Sequence, residues 1–345
     1  MRLNPLHEYC PYVSLILSLV VNPYLIYLIL KHTRHEVGSY KYILLSFAAF
    51  DILYSSVDAL IKPGFHVHKS AFIVFITGGP LNYPPPIGSI AVCIYLSFFS
   101  MSLAILSIHF LYRYIAIVHS KWLVHFSSWY SFPLCVIYVL ALALIWSLST
   151  ISTMYPTPLL YDMMRNSVLA DYDAVIEELG CIGPVYYYTD SNGTFHVGWE
   201  GSAGIAIIVF GVLGFTWALI IFCGVRIQQT LKHAAMSQKV RELQTQLFRA
   251  LIVQTIIPSI TNYLPAFVTL ATPIFGIDIG KLNNYYSPVM VCLFPVLDPL
   301  CIIYFVKDYK KAVQKAFGCG QKSVEDSSTA TGKYITPSRH SLEHS

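Results

Sequence analysis

Seven long apolar segments, separated by shorter polar connections, dominate the chain. They cover residues 12–30, 41–61, 87–111, 132–152, 203–225, 248–271 and 285–306. Crossing about 30 Å of hydrocarbon takes roughly 20 helical residues at about 1.5 Å rise each, so every segment is long enough to span a bilayer. The pattern therefore predicts an all-α membrane protein with a seven-transmembrane helix bundle.

The composition supports a bilayer as the surrounding solvent. Hydrophobic residues make up 55% of the 345 residues and charged residues only 12%, whereas a soluble domain carries roughly 25% charged residues. The first segment is predicted to be a retained helix, because it is long, is followed by basic residues and lacks a small-residue cleavage site. The net charge of +4 is spread over the loops and gives no reason to expect a nucleic-acid partner.

The basic residues are distributed unequally between the two sides of the predicted bundle. Seventeen of the 22 Lys and Arg residues fall in the alternate stretches 31–41, 112–131 and 226–249, or in the C-terminal tail. The positive-inside rule then predicts a plasma-membrane protein with its N-terminus outside and its C-terminus inside. A seven-helix ligand-gated ion channel is the alternative considered, but channels of the insect odorant-receptor type have the opposite orientation.

Ionisable residues inside the second and seventh segments are functional candidates, because charged groups are costly in a membrane. Asp51, Ser55, Asp58 and Lys62 have spacings that place them on one face of the second helix, which must point into the bundle. We expect Asp58 to pair with Lys62, and Asp51 to lie near Asp298 of the seventh helix. A shared proton, a bound cation or a hydroxyl network would satisfy the two carboxylates.

The sequence predicts neither an enzyme nor a metal or cofactor site. Motifs of an intramembrane aspartyl protease are absent around the two carboxylates, and the cysteines lack zinc-site spacing. His66 and His68 are expected to be surface residues of a loop. A retinal Schiff base would need a lysine inside the seventh segment, but Lys281 precedes it and Lys307 follows it.

The predicted outer surface carries the longest loop, residues 153–202, which is acidic and aromatic. It is either a lid over the bundle or a solvated acidic surface. Its Asn-Gly-Thr sequence predicts N-glycosylation at Asn192. Cys10, Cys93 and Cys181 all fall near the oxidising outer side. Three thiols cannot all pair, and we favour a disulfide between Cys93 and Cys181.

Arg113 lies between two tyrosines where the third segment meets the cytoplasm, and its guanidinium is expected either to reach water or to bond neighbouring helix ends there. It is either a positive-inside anchor or part of a switch. Prolines in the sixth and seventh segments, among them Pro258 and Pro299, mark kinks that either act as hinges or only shape the bundle.

Aromatic and polar residues in the outer halves of the third, sixth and seventh helices are candidates for lining a ligand site. Such a lining suits small, mostly apolar compounds, although each side chain could instead pack between helices. The candidates are Tyr95, Phe98, Phe99, Asn262, Tyr263, Tyr285 and Tyr286.

The cytoplasmic regions are basic and amphipathic. Residues 226–249 form a basic stretch with helical spacing of apolar residues, which would dock a G protein or face anionic lipid. Residues 307–317 are predicted to form an interfacial helix on the membrane lipid, ending the receptor domain 1–317, with Cys319 a palmitoylation site. Residues 318–345 are Ser/Thr-rich and predicted to be disordered and open to phosphorylation.

Several motifs resemble those of known receptors. Tyr112-Arg113-Tyr114 resembles the Asp-Arg-Tyr motif of G-protein-coupled receptors without its acidic residue, and LDPLCIIYFVKDY resembles their seventh-helix Asn/Asp-Pro motif. Four longer strings, at 38–75, 103–118, 247–260 and 292–313, are similar to nematode Str-type serpentine chemoreceptors and occur in that family's order. The resemblance covers about residues 10–317.

This resemblance implies a chemosensory receptor, of olfactory type, in the cilium of a sensory neuron. It implies that a small environmental chemical binds and that a heterotrimeric G protein is activated. The expected switch moves the sixth helix outward about Pro258 and uncovers Arg113. The candidate switch residues are Arg113, Tyr112, Asp51, Asp298, Pro299 and Pro258.

Overall fold

The computed structural model describes residues 5–33, 39–79, 83–126, 128–233 and 237–316. Within them, seven helices are long and apolar enough to cross a membrane. We number them in chain order as the first to the seventh helix: Pro5–His32, Tyr40–Ile61, Ile87–Val118, Ser131–Thr153, Trp199–His233, Val240–Ala271 and Tyr285–Phe305. Each predicted segment falls within one of these helices, apart from Val306 at the end of the last. The predicted fold class is confirmed.

Several shorter elements complete the chain. A loop helix, Pro158–Tyr172, follows the fourth helix, and a terminal helix, Lys307–Ala316, follows the seventh. Helical turns occupy Ser120–Trp122, Leu123–Phe126 and Ile176–Glu178. The helix that contains the sixth span extends back to Gln238, and the one that contains the seventh span extends back to Gly280. The described residues also form five strands: β1 (Pro63–His68), β2 (Ala71–Ile76), β3 (Cys181–Ile182), β4 (Tyr187–Thr189) and β5 (Phe195–Val197).

The third helix lies at the centre of the bundle. It packs against the second, fourth and fifth helices, while the first helix packs against the second and seventh. Four of its serine hydroxyls are hydrogen-bonded within the helix. Those of Ser97, Ser100, Ser102 and Ser107 each donate to the backbone carbonyl three residues earlier. Small, locally satisfied side chains allow neighbouring helices to approach it closely.

Two helices contain π-helical stretches. In the fifth helix the stretch is Ile207–Gly214, and in the sixth it is Ser259–Tyr263, directly after Pro258. Proline has no backbone N–H, so it cannot donate the hydrogen bond that a regular helix needs at that point. Pro258 therefore accounts for the stretch in the sixth helix. Both stretches are places where the helix departs from regular α-helical geometry.

A three-stranded antiparallel sheet covers one end of the bundle, which we call the sheet end; the opposite end is the arginine end. β1 pairs with β2 from Pro63–Ile76 to His68–Ala71, and β2 pairs with β3. Lys69 (φ 52) makes the tight turn between β1 and β2. The prediction that His66 and His68 belong to a loop is wrong, because 63–76 folds as a hairpin.

The two faces of β2 bury different clusters. Phe72, Val74 and Ile76 pack toward the bundle, whereas Ala71, Ile73 and Phe75 pack against the loop helix. This alternation follows from the two-residue period of a strand. Both faces are covered, so the strand is a continuous apolar run rather than an alternating one. The long 153–202 loop is thus a packed second layer over the sheet.

His66 and His68 occupy different environments. His66 is fully buried, and its two ring nitrogens each lie 3.1 Å from a hydroxyl, that of Tyr172 and that of Ser167. The surface prediction is therefore wrong for His66, because β1 turns it toward the loop helix. His68 is partly exposed and lies 2.7 Å from Asp278. Among the described residues, no group of three or more side chains could hold a metal ion.

The predicted disulfide between Cys93 and Cys181 does not form in the structure, where both thiols are free. Within β3 it is Ile182 that faces the third helix, so Cys181 points to the opposite side, toward the loop helix. Burial raises the pKa of the Cys181 thiol to about 12. The strand is held to the third helix instead by Ser89, whose hydroxyl donates to the Cys181 carbonyl at 2.8 Å.

Candidate functional site

A cavity of about 80 Å³ lies beneath the sheet, between the third, fourth, fifth, sixth and seventh helices. The sheet forms its roof. At about 10–15 Å³ per water position, this volume has room for about five to eight waters or a comparably small molecule. The lining is almost wholly apolar; it includes Phe65, Phe72, Val74, Tyr95, Phe99, Trp146, Ile182, Ile208, Asn262 and Val291.

Three of the predicted ligand residues, Tyr95, Phe99 and Asn262, line this cavity. Tyr263 stands in the wall behind them: its ring is perpendicular to that of Phe99, with 5.0 Å between centroids. The sixth helix thus contributes two consecutive predicted residues, one lining the cavity and one supporting it.

Phe98, Tyr285 and Tyr286 do not line the cavity. Phe98 stacks on an aromatic ring of the second helix, and the two tyrosines are about 40% exposed. The seventh helix instead turns Ser287 and Val291 inward. These two residues are four apart and share a face, whereas the tyrosines lie on another.

The sequence analysis missed the roof and the contribution of the fourth helix. Phe65, Phe72 and Val74 come from the unpredicted hairpin, and Trp146 comes from the fourth helix. The signal for the hairpin was a run of apolar residues too short to span a membrane, bounded by Gly and by Lys-Ser. The sequence held no corresponding signal for Trp146.

Two polar groups in the cavity wall have no hydrogen-bond partner among the described residues. They are the side-chain amide of Asn262, at both its nitrogen and its oxygen, and the indole N–H of Trp146. Both residues are buried. Other polar groups in the wall are satisfied: the hydroxyl of Ser287 donates to Asn283 at 2.9 Å, and that of Thr269 donates to Pro265 at the same distance. Because an unpaired buried polar group costs about 1–3 kcal/mol, these two groups are available for a ligand.

The buried carboxylates form connections different from those predicted. Asp58 does not pair with Lys62; it accepts a hydrogen bond from the Cys292 thiol at 3.1 Å. Lys62 ends the second helix in a left-handed conformation, and its ammonium lies 5.3 Å from the centroid of the Tyr12 ring. The Lys62 backbone N–H still closes the last turn on the Asp58 carbonyl at 2.8 Å, but the Lys62 side chain extends to the first helix instead of to the Asp58 carboxylate.

Asp51 and Asp298 lie close enough to interact electrostatically but do not share the same partners. Asp298 accepts hydrogen bonds from the Gln254 amide at 3.1 and 3.3 Å, which ties the seventh helix to the sixth. Neither carboxylate oxygen of Asp51 has a hydrogen-bond partner among the described residues. Pro299 follows Asp298 within the seventh helix.

Arg113 is buried at the arginine end, with only 2% of its surface exposed. Of the two environments predicted for its guanidinium, contact with water is wrong, and a bond to a neighbouring helix is what the structure shows. Its Nη1 donates to Oε1 of Gln244 at 2.8 Å, which links the third helix to the sixth. Its Nε and Nη2 have no hydrogen-bond partner among the described residues.

A tyrosine of the second helix makes this burial tolerable. The guanidinium carbon of Arg113 lies 3.8 Å from the centroid of the Tyr40 ring, a stacked arrangement that suits the planar, weakly hydrated guanidinium. Tyr40 is fixed from two sides, because its hydroxyl is hydrogen-bonded to His109 at 3.1 Å and its ring stacks on Tyr112. The predicted switch residue Tyr112 thus supports the ring that holds Arg113.

A continuous series of aromatic contacts joins the cavity to the arginine. Neighbouring ring centroids are between 5.1 and 6.4 Å apart. Starting from the cavity wall, the series is Tyr95, Tyr54, Phe294, Phe47, His109 and Tyr40.

The predicted glycosylation site lies away from both regions. Asn192 is exposed at the tip of the β4–β5 hairpin, where the Asp190 carboxylate accepts its backbone N–H at 2.9 Å. Cys319 and the tail 318–345 lie outside the described residues. The terminal helix Lys307–Ala316 buries Tyr309, whose hydroxyl is 2.6 Å from that of Thr33.

The seven-helix arrangement resembles a solved receptor. Squid rhodopsin superposes with a TM-score of 0.57 at 16% sequence identity, over 91% of this chain and 85% of that one. The fold is therefore a rhodopsin-like seven-helix bundle.

Sequence comparisons identify the family. The family model described as serpentine type 7TM GPCR chemoreceptor Str matches residues 7–314, so the chain belongs to this family of multi-pass membrane proteins. Serpentine receptor class r-10 of Caenorhabditis briggsae is 29% identical over 91% of each chain. The C. elegans receptor of the same name is 29% identical over 92% of this chain and 93% of its own. G-protein coupled receptor str-33 of C. elegans is 24% identical over 87% of both.

Proposed function

We propose that the protein is a chemosensory G-protein-coupled receptor. It binds a small environmental chemical in the cavity under the sheet and activates a heterotrimeric G protein at the arginine end. The observation that carries this proposal is the hydrogen bond between Arg113 and Gln244, at the end opposite the cavity. It holds the third and sixth helices together and keeps the arginine buried.

The structure corresponds to a resting state in this proposal. Release of Gln244 would let the sixth helix move away, with the irregular turn after Pro258 as its hinge. Arg113 would then be uncovered, and its free N–H groups would bind carbonyl groups at the C-terminus of a Gα subunit. A ligand drives this change only by binding the second arrangement more tightly than the first.

The cavity defines the chemical class of the ligand. Its small volume and apolar walls suit a compact, mostly apolar molecule. The unpaired groups of Asn262 and Trp146 favour a molecule with one hydrogen-bonding function, such as a ketone, an aldehyde or an alcohol. A site of this kind fits an odorant.

The orientation of the chain follows from charge in this proposal. The basic loops belong to the arginine end, so that end faces the cytoplasm and the sheet faces outside. An epitope tag on the N-terminus should be labelled on intact cells, whereas an antibody to the last residues should label only permeabilised ones. Labelling of the C-terminus on intact cells would contradict the proposal.

The role of Arg113 is tested by guanine-nucleotide exchange. Cells expressing the chain with a heterotrimeric G protein are exposed to a panel of volatile and water-soluble compounds. Arg113→Ala should abolish the exchange evoked by any active compound while leaving surface expression intact. Arg165→Ala, which removes an exposed arginine of the loop helix, outside the basic 226–249 stretch, is the matched control. Exchange by the Arg113→Ala variant at the unmodified level would rule out this mechanism.

The chemosensory role also predicts a cellular location. A fluorescent fusion expressed in ciliated sensory neurons should concentrate in the sensory cilium, where environmental chemicals arrive. Uniform distribution over the cell body would contradict this part of the proposal.

A further inference from the structure

The cavity is closed on the side of the sheet. Its roof residues Phe65, Phe72, Val74, Ile182 and Gly183 are all buried. Above them, the loop helix packs on the other face of the same sheet. A ligand arriving from water at the sheet end would therefore have to displace two packed layers.

The partly exposed residues of the cavity wall lie elsewhere. Apart from Leu96 of the third helix, they are Ile205 and Leu213 of the fifth helix and Ala266 and Leu270 of the sixth. All four are apolar, and they bring the cavity to the bundle surface between these two helices. We call this line the seam.

The surface beside the seam is apolar as well. Ile207, Phe210 and Phe267 are 48%, 78% and 66% exposed. Leu213 lies 14 residues into the fifth helix from Trp199, or about 21 Å along its axis at about 1.5 Å per residue. The seam therefore opens into the hydrocarbon of the bilayer rather than into water.

The backbone beside the seam is irregular on both sides. The π-helical stretch of the fifth helix begins after Ile205 and includes Leu213. That of the sixth helix ends just before Ala266. The fifth helix packs on the third and fourth, whereas its contacts with the sixth are sparse. Two irregular segments with few mutual contacts can separate at lower cost than two regularly packed helices.

We propose that the ligand reaches the cavity laterally from the bilayer, through the seam between the fifth and sixth helices. The ligand class is then a membrane-soluble, mostly apolar compound with one hydrogen-bonding group, which meets the Asn262 amide at the end of its path. The entry route is argued from the cavity and its walls alone. Only its biological role rests on the proposed receptor function.

The route can be measured without a G protein. Trp146 lines the cavity, and replacing the other four tryptophans by Phe makes it the only indole in the chain. The full chain is reconstituted in phosphatidylcholine nanodiscs. Bromobenzene, a small apolar heavy-atom quencher, is added by stopped flow, and the rate and final extent of Trp146 quenching are recorded.

Bulk added at the seam should slow entry and exit together. Ala266→Phe is expected to lower both rates about tenfold, the effect of about 1.4 kcal/mol on a barrier, while the final quenching changes little. Ala203→Phe makes the same change at an exposed position of the fifth helix outside the cavity wall and should leave both rates unchanged. Leu213→Ala widens the seam and should speed both rates, which provides a second test if the first variant folds poorly.

Three results would overturn the proposal. The first is unchanged rates in both seam variants together with faster quenching in Ile182→Ala, which thins the roof. The second is an Ala266→Phe variant that loses final quenching at unaltered rates, because the side chain would then act on the site and not on the path. The third is an absence of Trp146 quenching by bromobenzene in every variant. The quenching assay does not measure nucleotide exchange. A failure of the lateral-entry proposal can therefore be distinguished from a failure of the receptor proposal.

Discussion

The hydrogen bond between Arg113 and Gln244 makes a quantitative prediction about the receptor without ligand. It joins a charged donor to a neutral acceptor at 2.8 Å in a partly buried setting, and such bonds contribute about 1.5–3 kcal/mol. The bond exists only while the sixth helix is in place. Removing it with Gln244→Ala should therefore destabilise the resting arrangement by about 1.5 kcal/mol, which raises the ratio of active to resting receptor about tenfold.

Basal nucleotide exchange in membranes containing the receptor and a heterotrimeric G protein measures this ratio. The rate is divided by the number of receptors at the surface, so that expression does not affect it. Gln246→Ala is the matched control, because Gln246 makes only a 3.4 Å bond to Glu242 within the same helix. Gln244→Glu should lower the basal rate below that of the unmodified receptor, because a carboxylate binds the guanidinium more strongly.

The reasoning is refuted if Gln244→Ala has the same basal rate as Gln246→Ala at equal surface density. A lower rate would be equally damaging, because it would mean that Gln244 contacts the G protein and does not hold the resting state. The pair of opposite substitutions separates these outcomes from a general loss of folding.

Three further predictions concern the sheet end. Gly183→Ala should lower the thermal unfolding temperature, because a Cβ there would lie 1.9 Å from the Phe72 carbonyl oxygen, an overpacking worth about 1–3 kcal/mol; Gly211→Ala, with nothing closer than 4.0 Å, should not. Burial lowers the pKa of His66 to about 4, below its ordinary value of about 6.5. The unfolded hairpin therefore binds the proton first, and hairpin stability is present above pH 6.5 and declines as the pH falls from 6.5 toward 4. Amide hydrogen exchange of β1, corrected for intrinsic rates, should show this decline, and His66→Gln should remove it; an unchanged decline in that variant would assign it to another group. Asn192→Gln should lose the gel-mobility shift that peptide-N-glycosidase produces on the unmodified chain, and a shift that persists would place the glycan elsewhere.

Hydropathy alone predicted the seven helices because crossing a membrane is a property of each segment by itself. The length and the apolar content of a segment can both be read from the sequence without knowledge of the segments that it packs against. The hairpin at 63–76 was missed for the opposite reason. Its burial depends on the loop helix, which is about 90 residues further along the chain and covers the outer face of β2.

The environment of Arg113 also depends on a distant part of the chain. Arg113 was expected to reach water or neighbouring helix ends because it follows the apolar segment 87–111, but the third helix continues to Val118. Tyr40 begins the second helix and Gln244 lies in the first turns of the sixth, and nothing in the sequence near Arg113 indicates either contact. The motif identified the residue, whereas only the packed bundle identifies what holds it.

The same limit applies to Cys181. Its position on the outer side suggested a disulfide with Cys93, and the two residues do lie on contacting elements. A strand, however, directs successive side chains to opposite faces, so a shift of one residue decides whether the thiol or the Ile182 side chain meets the third helix. Sequence spacing does not fix that register.

The seventh helix provides the physical connection between the cavity and the arginine end. Val291 lines the cavity, Phe294 belongs to the aromatic series and Asp298 binds Gln254 of the sixth helix. Their spacing of three and four residues places them on one face. Val291 is therefore connected, through this face of the seventh helix, to the aromatic series and to a hydrogen bond with the sixth helix.

A continuous series of side-chain contacts does not by itself couple the cavity to Arg113. Packed side chains transmit a change only when they have two distinct arrangements. The proposed mechanism requires such a pair at the arginine end. In the structure Arg113 lies on Tyr40 and binds Gln244, and in the proposed second arrangement its guanidinium is free to bind a partner. Because Tyr40 is held by His109, the last ring of the aromatic series before it, a ligand that shifts Tyr95 or Val291 acts on the same side chain that stabilises the buried arginine. Ligand binding in this mechanism changes the fraction of receptors in which Arg113 is covered.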